Sequence, residues 1–146
     1  MKKYLFKIKF LFSLSMLFLL CGCSIQTNIY VQNLTNQTKP VTIKYKCKSE
    51  IWIRFNHEMK YIDRIEPVKF FKRKNEEKLL VLEHKVYDSM VVVNLPPKST
   101  TRIVETSNYR WYSNIEYVEI DSHRYTIYEF KEKLAEAKRD WLFKIE

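Results

Sequence analysis

The chain of 146 residues carries a formal net charge of +9, and 46% of its residues are hydrophobic. A chain of this length accommodates one domain at most. Its composition includes three cysteines and a single glycine, Gly22. P-loops, dinucleotide-binding fingerprints, nucleophile elbows and EF-hand loops use glycine for backbone conformations that other residues resist. The standard forms of these motifs are therefore excluded from the sequence that follows Gly22.

The first residues combine a basic start with an apolar run. Residues 1–9 contain four lysines and no acidic residue, and residues 10–20 form an uncharged apolar stretch. This arrangement is typical of a secretory signal peptide. The stretch is shorter than the roughly 20 residues that a membrane-spanning helix needs. Residues 1–22 are therefore predicted to be a signal peptide.

The motif LCGC at residues 20–23 follows the apolar stretch and resembles the lipobox of bacterial lipoproteins. The resemblance covers residues 1–23 and implies cleavage between Gly22 and Cys23, with acylation of Cys23. Two or three acyl chains anchor a protein stably, whereas one chain binds a membrane marginally. Ser24 does not resemble the aspartate that retains lipoproteins in the inner membrane. The resemblance thus implies an exported envelope protein, held at the outer membrane in a Gram-negative organism.

Three other interpretations of this segment stay open. The first is an ordinary secretory signal, and the second is an uncleaved membrane anchor. The third is a metal site at Cys21 and Cys23, although no further Cys or His lies close by in sequence to complete it. Processing after Gly22 lowers the formal net charge from +9 to +5, because four lysines are removed. It leaves Cys47 as the one free thiol, so the mature chain forms no intramolecular disulfide.

Residues 23–27 are predicted to be the lipidated N-terminus and a short tether, and residues 28–146 a single β-rich domain. The segment VTIKYKCK alternates with a period of two, which predicts a half-buried strand. Its two faces hold Val41, Ile43, Tyr45 and Cys47 on one side and Thr42, Lys44, Lys46 and Lys48 on the other. Further strands are predicted at residues 28–33, 51–55, 67–71, 78–88, 90–95, 100–105 and 115–120.

Short strands broken by turn residues favour an antiparallel β-sandwich. The strand pattern and the LPPKST turn resemble, in general architecture, the small immunoglobulin-like sandwiches of envelope lipoproteins. With no glycine after residue 22, turns that need positive φ are predicted to use Asn or Asp. The segment DSHR at residues 121–124 is predicted to be such a turn.

The C-terminal region changes period. Thr126 and Glu129 form a capping box, which predicts a helix start. Apolar residues then follow at helical spacing, so a short helix is predicted near residues 126–138. Residues 139–146 return to alternation and predict a closing strand. An unbroken helix to the last residue is the alternative, because no helix-breaking residue separates the two patterns.

Catalytic and metal-binding constellations are not recognisable in the sequence. On a strand, His84 and Asp88 would lie about 13 Å apart at about 3.3 Å per residue, too far to share one metal ion. Cys47 falls on the apolar face of its strand, which favours a buried structural thiol over a nucleophile. No metal, no cofactor and no enzymatic activity are therefore predicted.

Two surface features suggest binding. Lys44, Lys46 and Lys48, together with the basic segment at residues 69–74, could hold anionic lipid, lipopolysaccharide or cell-wall polymer. The alternative is a solvated sheet face on which lysines oppose aggregation.

The segment SNYRWYSN is the second feature. It contains residue types that are enriched at interface hot spots, namely Tyr109, Arg110, Trp111 and Tyr112. They could also stack on sugar rings. The alternative here is that Trp111 closes one end of the sandwich.

These observations predict a membrane-anchored envelope lipoprotein that acts as a non-catalytic interaction or assembly module. The alternative is a binding protein for envelope glycan or anionic lipid, and a hydrolase ranks third because its motifs are missing. The expected partners are the membrane, through the N-terminal lipid, and an envelope protein or glycan. Nucleic acid is not expected, because the lipid anchor would place the domain outside the cytoplasm.

Overall fold

A computed structural model of the chain describes residues 24–46, 58–73 and 78–146. The predicted signal peptide and the lipidation of Cys23 lie outside these residues, as do Cys47, Lys48 and the strand predicted at residues 51–55. The described chain is mainly β, with two sheets and three short helices. Within that part of the chain, each helix is too short and too polar to cross a membrane.

The strands are β1 (Gln26–Asn33), β2 (Lys39–Tyr45), β3 (Met59–Ile62), β4 (Leu80–Leu82), β5 (His84–Tyr87), β6 (Met90–Leu95), β7 (Ser99–Ser107), β8 (Ile115–Ile120), β9 (His123–Thr126), β10 (Ala135–Ala137) and β11 (Asp140–Ile145). The helices are α1 (Val68–Arg73), α2 (Arg110–Asn114) and α3 (Ile127–Lys133). The six-stranded sheet has the order β10-β11-β1-β7-β3-β4, and the five-stranded sheet has the order β5-β6-β2-β8-β9.

The main hydrophobic core lies between the two sheets. It takes Ile29, Val31, Ile103 and Phe143 from the six-stranded sheet and Val41, Ile43, Val91, Val93 and Val118 from the five-stranded sheet. Strand β2 presents the predicted pattern, because Val41, Ile43 and Tyr45 are buried while Thr42 and Lys44 are half-buried. Period-two alternation therefore identified the core-facing side of β2 correctly.

A second, smaller core covers the outer face of the six-stranded sheet. Helix α1 packs there, and the cluster consists of Tyr30, Ile62, Val68 and Phe71. The rings of Tyr30 and Phe71 meet edge to face, with their centroids 5.0 Å apart. As a result seven of the eight residues of β1 are buried, on both faces of the strand.

Three predictions about the strands are corrected by the structure. Residues 67–71 were expected to be a strand, but Val68–Arg73 form α1, since packing against the sheet decides a segment with weak alternation. The strand expected at residues 78–88 is interrupted at Glu83, and its halves β4 and β5 join different sheets. The pairing is not purely antiparallel either, because β1 and β11 run parallel, with Ile29 opposite Trp141.

The C-terminal prediction is confirmed in its main features. The Thr126–Glu129 capping box is present, and Glu129 N–H donates to the Thr126 hydroxyl over 3.3 Å. The helix ends at Lys133 rather than near residue 138, because Ala135–Ala137 pair with β11 as strand β10. The closing strand Asp140–Ile145 exists, so the alternative of an unbroken terminal helix is wrong.

Positive φ angles occur at residues other than glycine throughout the turns. Asp88, Asn108 and Asp121 follow the prediction that Asn and Asp take such positions. The prediction is incomplete, since Lys98, Tyr109, Ser122 and Lys138 do the same. Asp121 and Ser122 form the turn of the β8–β9 hairpin, so His123 and Arg124, expected in the turn, belong to β9 instead.

Candidate functional site

The candidate site begins at the turn that follows β7. Asn108 and Tyr109 both adopt left-handed backbone, with φ of 54° and 57°, and α2 starts at Arg110. Asn108 N–H donates to the Ile25 carbonyl over 2.7 Å, and Ile25 N–H donates to Asn108 Oδ1 over 2.9 Å. Because of these two bonds, the 107–110 turn is fixed directly to the residues that precede β1.

Trp111 lies in the core and is 1% exposed. Its ring meets Trp141 edge to face at 5.8 Å and Tyr112 at 5.7 Å. The prediction of Trp111 as part of an accessible surface is therefore wrong, since Trp111 belongs to the main core cluster. Helix α2 has only five residues. Within it Trp111 is buried, whereas Arg110 and the preceding Tyr109 are exposed.

The indole N–H groups of Trp111 and Trp141 are buried and have no hydrogen-bond partner among the described residues. An unpaired buried donor carries a desolvation cost that apolar packing must offset. The contacts of the Trp111 ring with Trp141 and with Tyr112 supply part of that packing. The rings of Trp141, Trp111 and Tyr112 therefore form a connected series of edge-to-face contacts.

Tyr112 is half-buried, and its ring packs against the buried ring of Trp111. Its ring meets Tyr128 edge to face at 5.4 Å, and Lys131 Nζ lies 4.8 Å from the centroid of the Tyr112 ring. Burial raises the pKa of the Tyr112 hydroxyl, and Tyr128 raises it further through its charge and a hydrogen bond. Tyr128 is 66% exposed. We call Tyr112, Tyr128 and Lys131 the tyrosine face.

Tyr128 and Lys131 were missed by the sequence analysis, although a signal for them existed. The capping box fixes the start of α3, and the buried positions Ile127 and Phe130 then define its inner side. Tyr128 and Lys131 are three apart on an adjacent, exposed side of the helix, where side chains at this spacing are neighbours. An exposed aromatic residue on the polar side of a helix is the feature that identifies them.

The predicted basic surface is divided between different parts of the fold. Lys44 is in the five-stranded sheet, and its Nζ donates to Ser89 Oγ over 2.6 Å. Lys46 is exposed just beyond β2, where its N–H donates to the Asn114 carbonyl over 2.9 Å. Lys69 lies on α1, against the six-stranded sheet. Lys44 and Lys46 therefore lie in a different part of the fold from Lys69, the basic residue of the 69–74 segment whose side chain the structure describes.

The described histidines, His84 and His123, and the described acidic residues do not converge on a cation site. His84 lies in β5, whereas Asp88 is in the turn after it. Within the three described stretches, no group of three His, Cys, Asp or Glu side chains could hold a metal ion. Comparisons of the chain with protein-family models, with curated proteins and with solved structures find no match.

Proposed function

We propose that this chain is an exported envelope lipoprotein, anchored through acylated Cys23, whose domain is a non-catalytic interaction module. The observation that carries the second part is the tyrosine face, where Tyr112 and Tyr128 are held edge to face beside Lys131. The first part is supported by the basic and apolar residues 1–22 and the LCGC motif. The immunoglobulin-like identity of the sandwich is part of the same proposal, supported by two sheets that pack around one core.

The tyrosine face has the properties of an interface anchor. Tyrosine supplies a large contact area at a low conformational cost, and it is enriched at hot spots. Tyr112 is restrained from below by Trp111 and from the side by Tyr128. Ordering before contact lowers the entropy that binding has to overcome. A partner with an apolar pocket and an acidic rim would fit this arrangement, because Lys131 adds positive charge beside the rings.

Binding of an envelope glycan is the second candidate. The exposed Tyr128 ring offers a surface on which a sugar ring can stack, and the neighbouring hydroxyls can donate to sugar oxygens. This candidate uses the same residues as the first, so one set of variants separates the two.

The anchoring part is tested with Cys23→Ala. We expect the variant to lose metabolic acyl labelling and to leave the membrane fraction, because the acyl chains provide the anchor. Cys21→Ala is the matched control and keeps both properties, since a small residue still precedes Gly22. A Cys23→Ala protein that stays in the membrane fraction with unchanged gel mobility would contradict the lipoprotein assignment.

The interaction part is tested with Tyr128→Ala combined with Lys131→Ala, after cross-linking in intact cells. The matched control is Tyr87→Ala, which removes an exposed tyrosine from edge strand β5. If the double variant loses a cross-linked envelope protein and Tyr87→Ala keeps it, the result supports the interaction module. If the double variant loses retention of polysaccharide instead, the result supports glycan binding. An unchanged profile in a variant with native near-UV circular dichroism excludes the tyrosine face as the contact surface.

A further inference from the structure

The start of the described chain is tied to one end of the sandwich. Ser24 Oγ lies 3.4 Å from Ser107 Oγ, and Ile25 exchanges two hydrogen bonds with Asn108. Cys23 directly precedes Ser24 in sequence. Only Ser24 separates Cys23 from Ile25 in sequence, and an extended chain spans at most about 3.6 Å per residue. A lipid on Cys23 would thus have almost no tether.

The strand directions bring a second turn to the same end. Strand β11 runs parallel to β1 and starts beside it, because Asn28 N–H donates to Asp140 Oδ1 over 3.1 Å. The turn that precedes β11 contains Lys138, whose φ is 67°, and Arg139. Both side chains are exposed. This end therefore presents the start of β1, the 107–110 turn and the 138–139 turn.

The exposed side chains of these turns are of two kinds. Tyr109 is 41% exposed, and the charged residues of the two turns are the cations Arg110, Lys138 and Arg139. Of the acidic residues nearby, Glu105 accepts hydrogen bonds from Arg102 and Gln26, and Glu136 is exposed opposite Trp141 in the β10–β11 pair. Tyrosine is enriched at membrane interfaces, and Arg and Lys are attracted to anionic headgroups.

We propose that this end of the sandwich rests on the bilayer that holds the Cys23 acyl chains, with Tyr109 at the interface and the cations of both turns against phospholipid phosphates. This inference depends on the proposed lipid anchor. It fixes an orientation for the domain, because β1 then runs away from the membrane. At about 3.3 Å per residue, the eight residues of β1 carry the opposite end, with Lys98, about 26 Å from the headgroups.

The test uses the full acylated protein in vesicles that contain phosphatidylglycerol, with Cys47→Ser to leave one reactive thiol. A nitroxide is attached at Tyr109→Cys or at Lys98→Cys, and its relaxation by oxygen and by a water-soluble nickel complex is measured. The two positions are matched, since both are exposed turn residues with φ near 55°. We expect the ratio of oxygen to nickel accessibility to be several-fold higher at position 109 than at position 98.

Equal ratios at both positions, in protein whose Cys23 acylation is verified by mass spectrometry, overturn the orientation and leave the lipoprotein assignment intact. Protein that is exported but carries no lipid on Cys23 overturns the proposed function itself. A label at Arg139→Cys provides the second measurement if Tyr109→Cys does not fold. The ratio there is expected to match that of position 109, and a ratio equal to that of position 98 contradicts the proposal.

Discussion

The two sheets of this domain differ in what covers their outer faces. The centre of the six-stranded sheet, around β1, is enclosed on both sides, by the main core on one face and by α1 on the other, while its edge strands β4 and β10 are largely exposed. The five-stranded sheet has a buried inner face, while its outer face carries half-buried or exposed residues such as Lys44 and Arg124. One sheet therefore behaves as the centre of the domain, and the other as a solvated layer packed against it.

Strands β1 and β2 express this difference in sequence. Strand β2 alternates between apolar and polar residues, as expected for a sheet with one wet face. Strand β1 is polar at several buried positions, namely Thr27, Asn28, Gln32 and Asn33. Each of these side chains makes at least one hydrogen bond, as when Gln32 Nε2 donates to the Glu66 carbonyl over 2.8 Å, although the buried Asn28 Oδ1 has no partner among the described residues. Polar residues can thus mark the most enclosed strand, provided that each has a partner.

The largest expected effect compares the two cores by the same substitution. Phe130→Ala removes a fully buried ring from the main core and is expected to cost about 4 kcal/mol of unfolding free energy. Phe71→Ala removes a ring of similar burial from beneath α1 and is expected to cost roughly 2 kcal/mol, because a six-residue helix can detach locally. Urea unfolding followed by circular dichroism measures both values.

Hydrogen exchange distinguishes local detachment of α1 from unfolding of the whole domain. In the Phe71→Ala variant, the amides of α1 should lose protection while those of β2 keep it. In the Phe130→Ala variant, both should lose protection together, as in global unfolding. A Phe71→Ala protein as destabilised as Phe130→Ala would show that α1 is an integral part of the cooperative core and would remove the distinction between the two sheets.

The fold was predictable from the sequence where one physical signal dominates. Alternation located β2, the strands predicted at residues 90–95 and 115–120 match β6 and β8, and the capping box located the start of α3. Local sequence patterns failed where tertiary contacts determine the secondary structure or the strand pairing. Helix α1 exists because Val68 and Phe71 meet Tyr30 on the outer face of a sheet, a contact that no local pattern contains. The parallel pairing of β1 with β11 joins the two ends of the chain and is equally invisible to local periodicity.

The candidate site was predictable in part. The segment SNYRWYSN was selected for its aromatic residues, but residues 110–114 form helix α2, and the buried position of Trp111 depends on this helix and on Trp141 from the distant strand β11. Tyr128 and Lys131 come from α3, so only the fold brings them to Tyr112. The neighbourhood of Ile25 and Asn108, on which the membrane orientation depends, follows from the register of β1 against β7.

The next effect in size concerns a carboxylate enclosed by the six-stranded sheet. Asp140 Oδ1 accepts hydrogen bonds from Asn28 N–H at 3.1 Å and from Asn28 Nδ2 at 2.9 Å, in a buried position. Asp140→Ala leaves both donors buried without this acceptor, which is expected to cost roughly 2 kcal/mol. Asp140→Asn keeps one acceptor oxygen and should cost less. Equal chemical-denaturation midpoints for the wild type and Asp140→Ala would contradict the role of this carboxylate.

The smallest expected effect on stability concerns an exposed carboxylate. Like Asp140, Glu129 accepts hydrogen bonds from one backbone N–H and one side-chain donor. Glu129 Oε2 accepts from Thr126 N–H at 2.8 Å and from the Thr126 hydroxyl at 2.9 Å. The Thr126 backbone N–H, and then its hydroxyl, lower the pKa of Glu129 below its ordinary value. A carboxyl whose pKa is lower in the folded chain than in the unfolded chain stabilises the fold above the unfolded pKa. That contribution is lost as the pH falls through the folded pKa.

Glu129→Gln isolates this contribution, because glutamine can still accept within the capping box but does not titrate. The stability difference between the wild type and Glu129→Gln should be constant at neutral pH and should shrink below the ordinary pKa of 4.5. A double-mutant cycle with Thr126→Ala should show coupling that follows the same pH course. A difference that persists unchanged in acid would mean that Glu129 acts through packing. Because the Glu129 side chain is exposed, the pair of Thr126 and Glu129 should contribute less to stability than the buried pair of Asn28 and Asp140, in which a backbone N–H and a side-chain donor likewise meet one carboxylate oxygen.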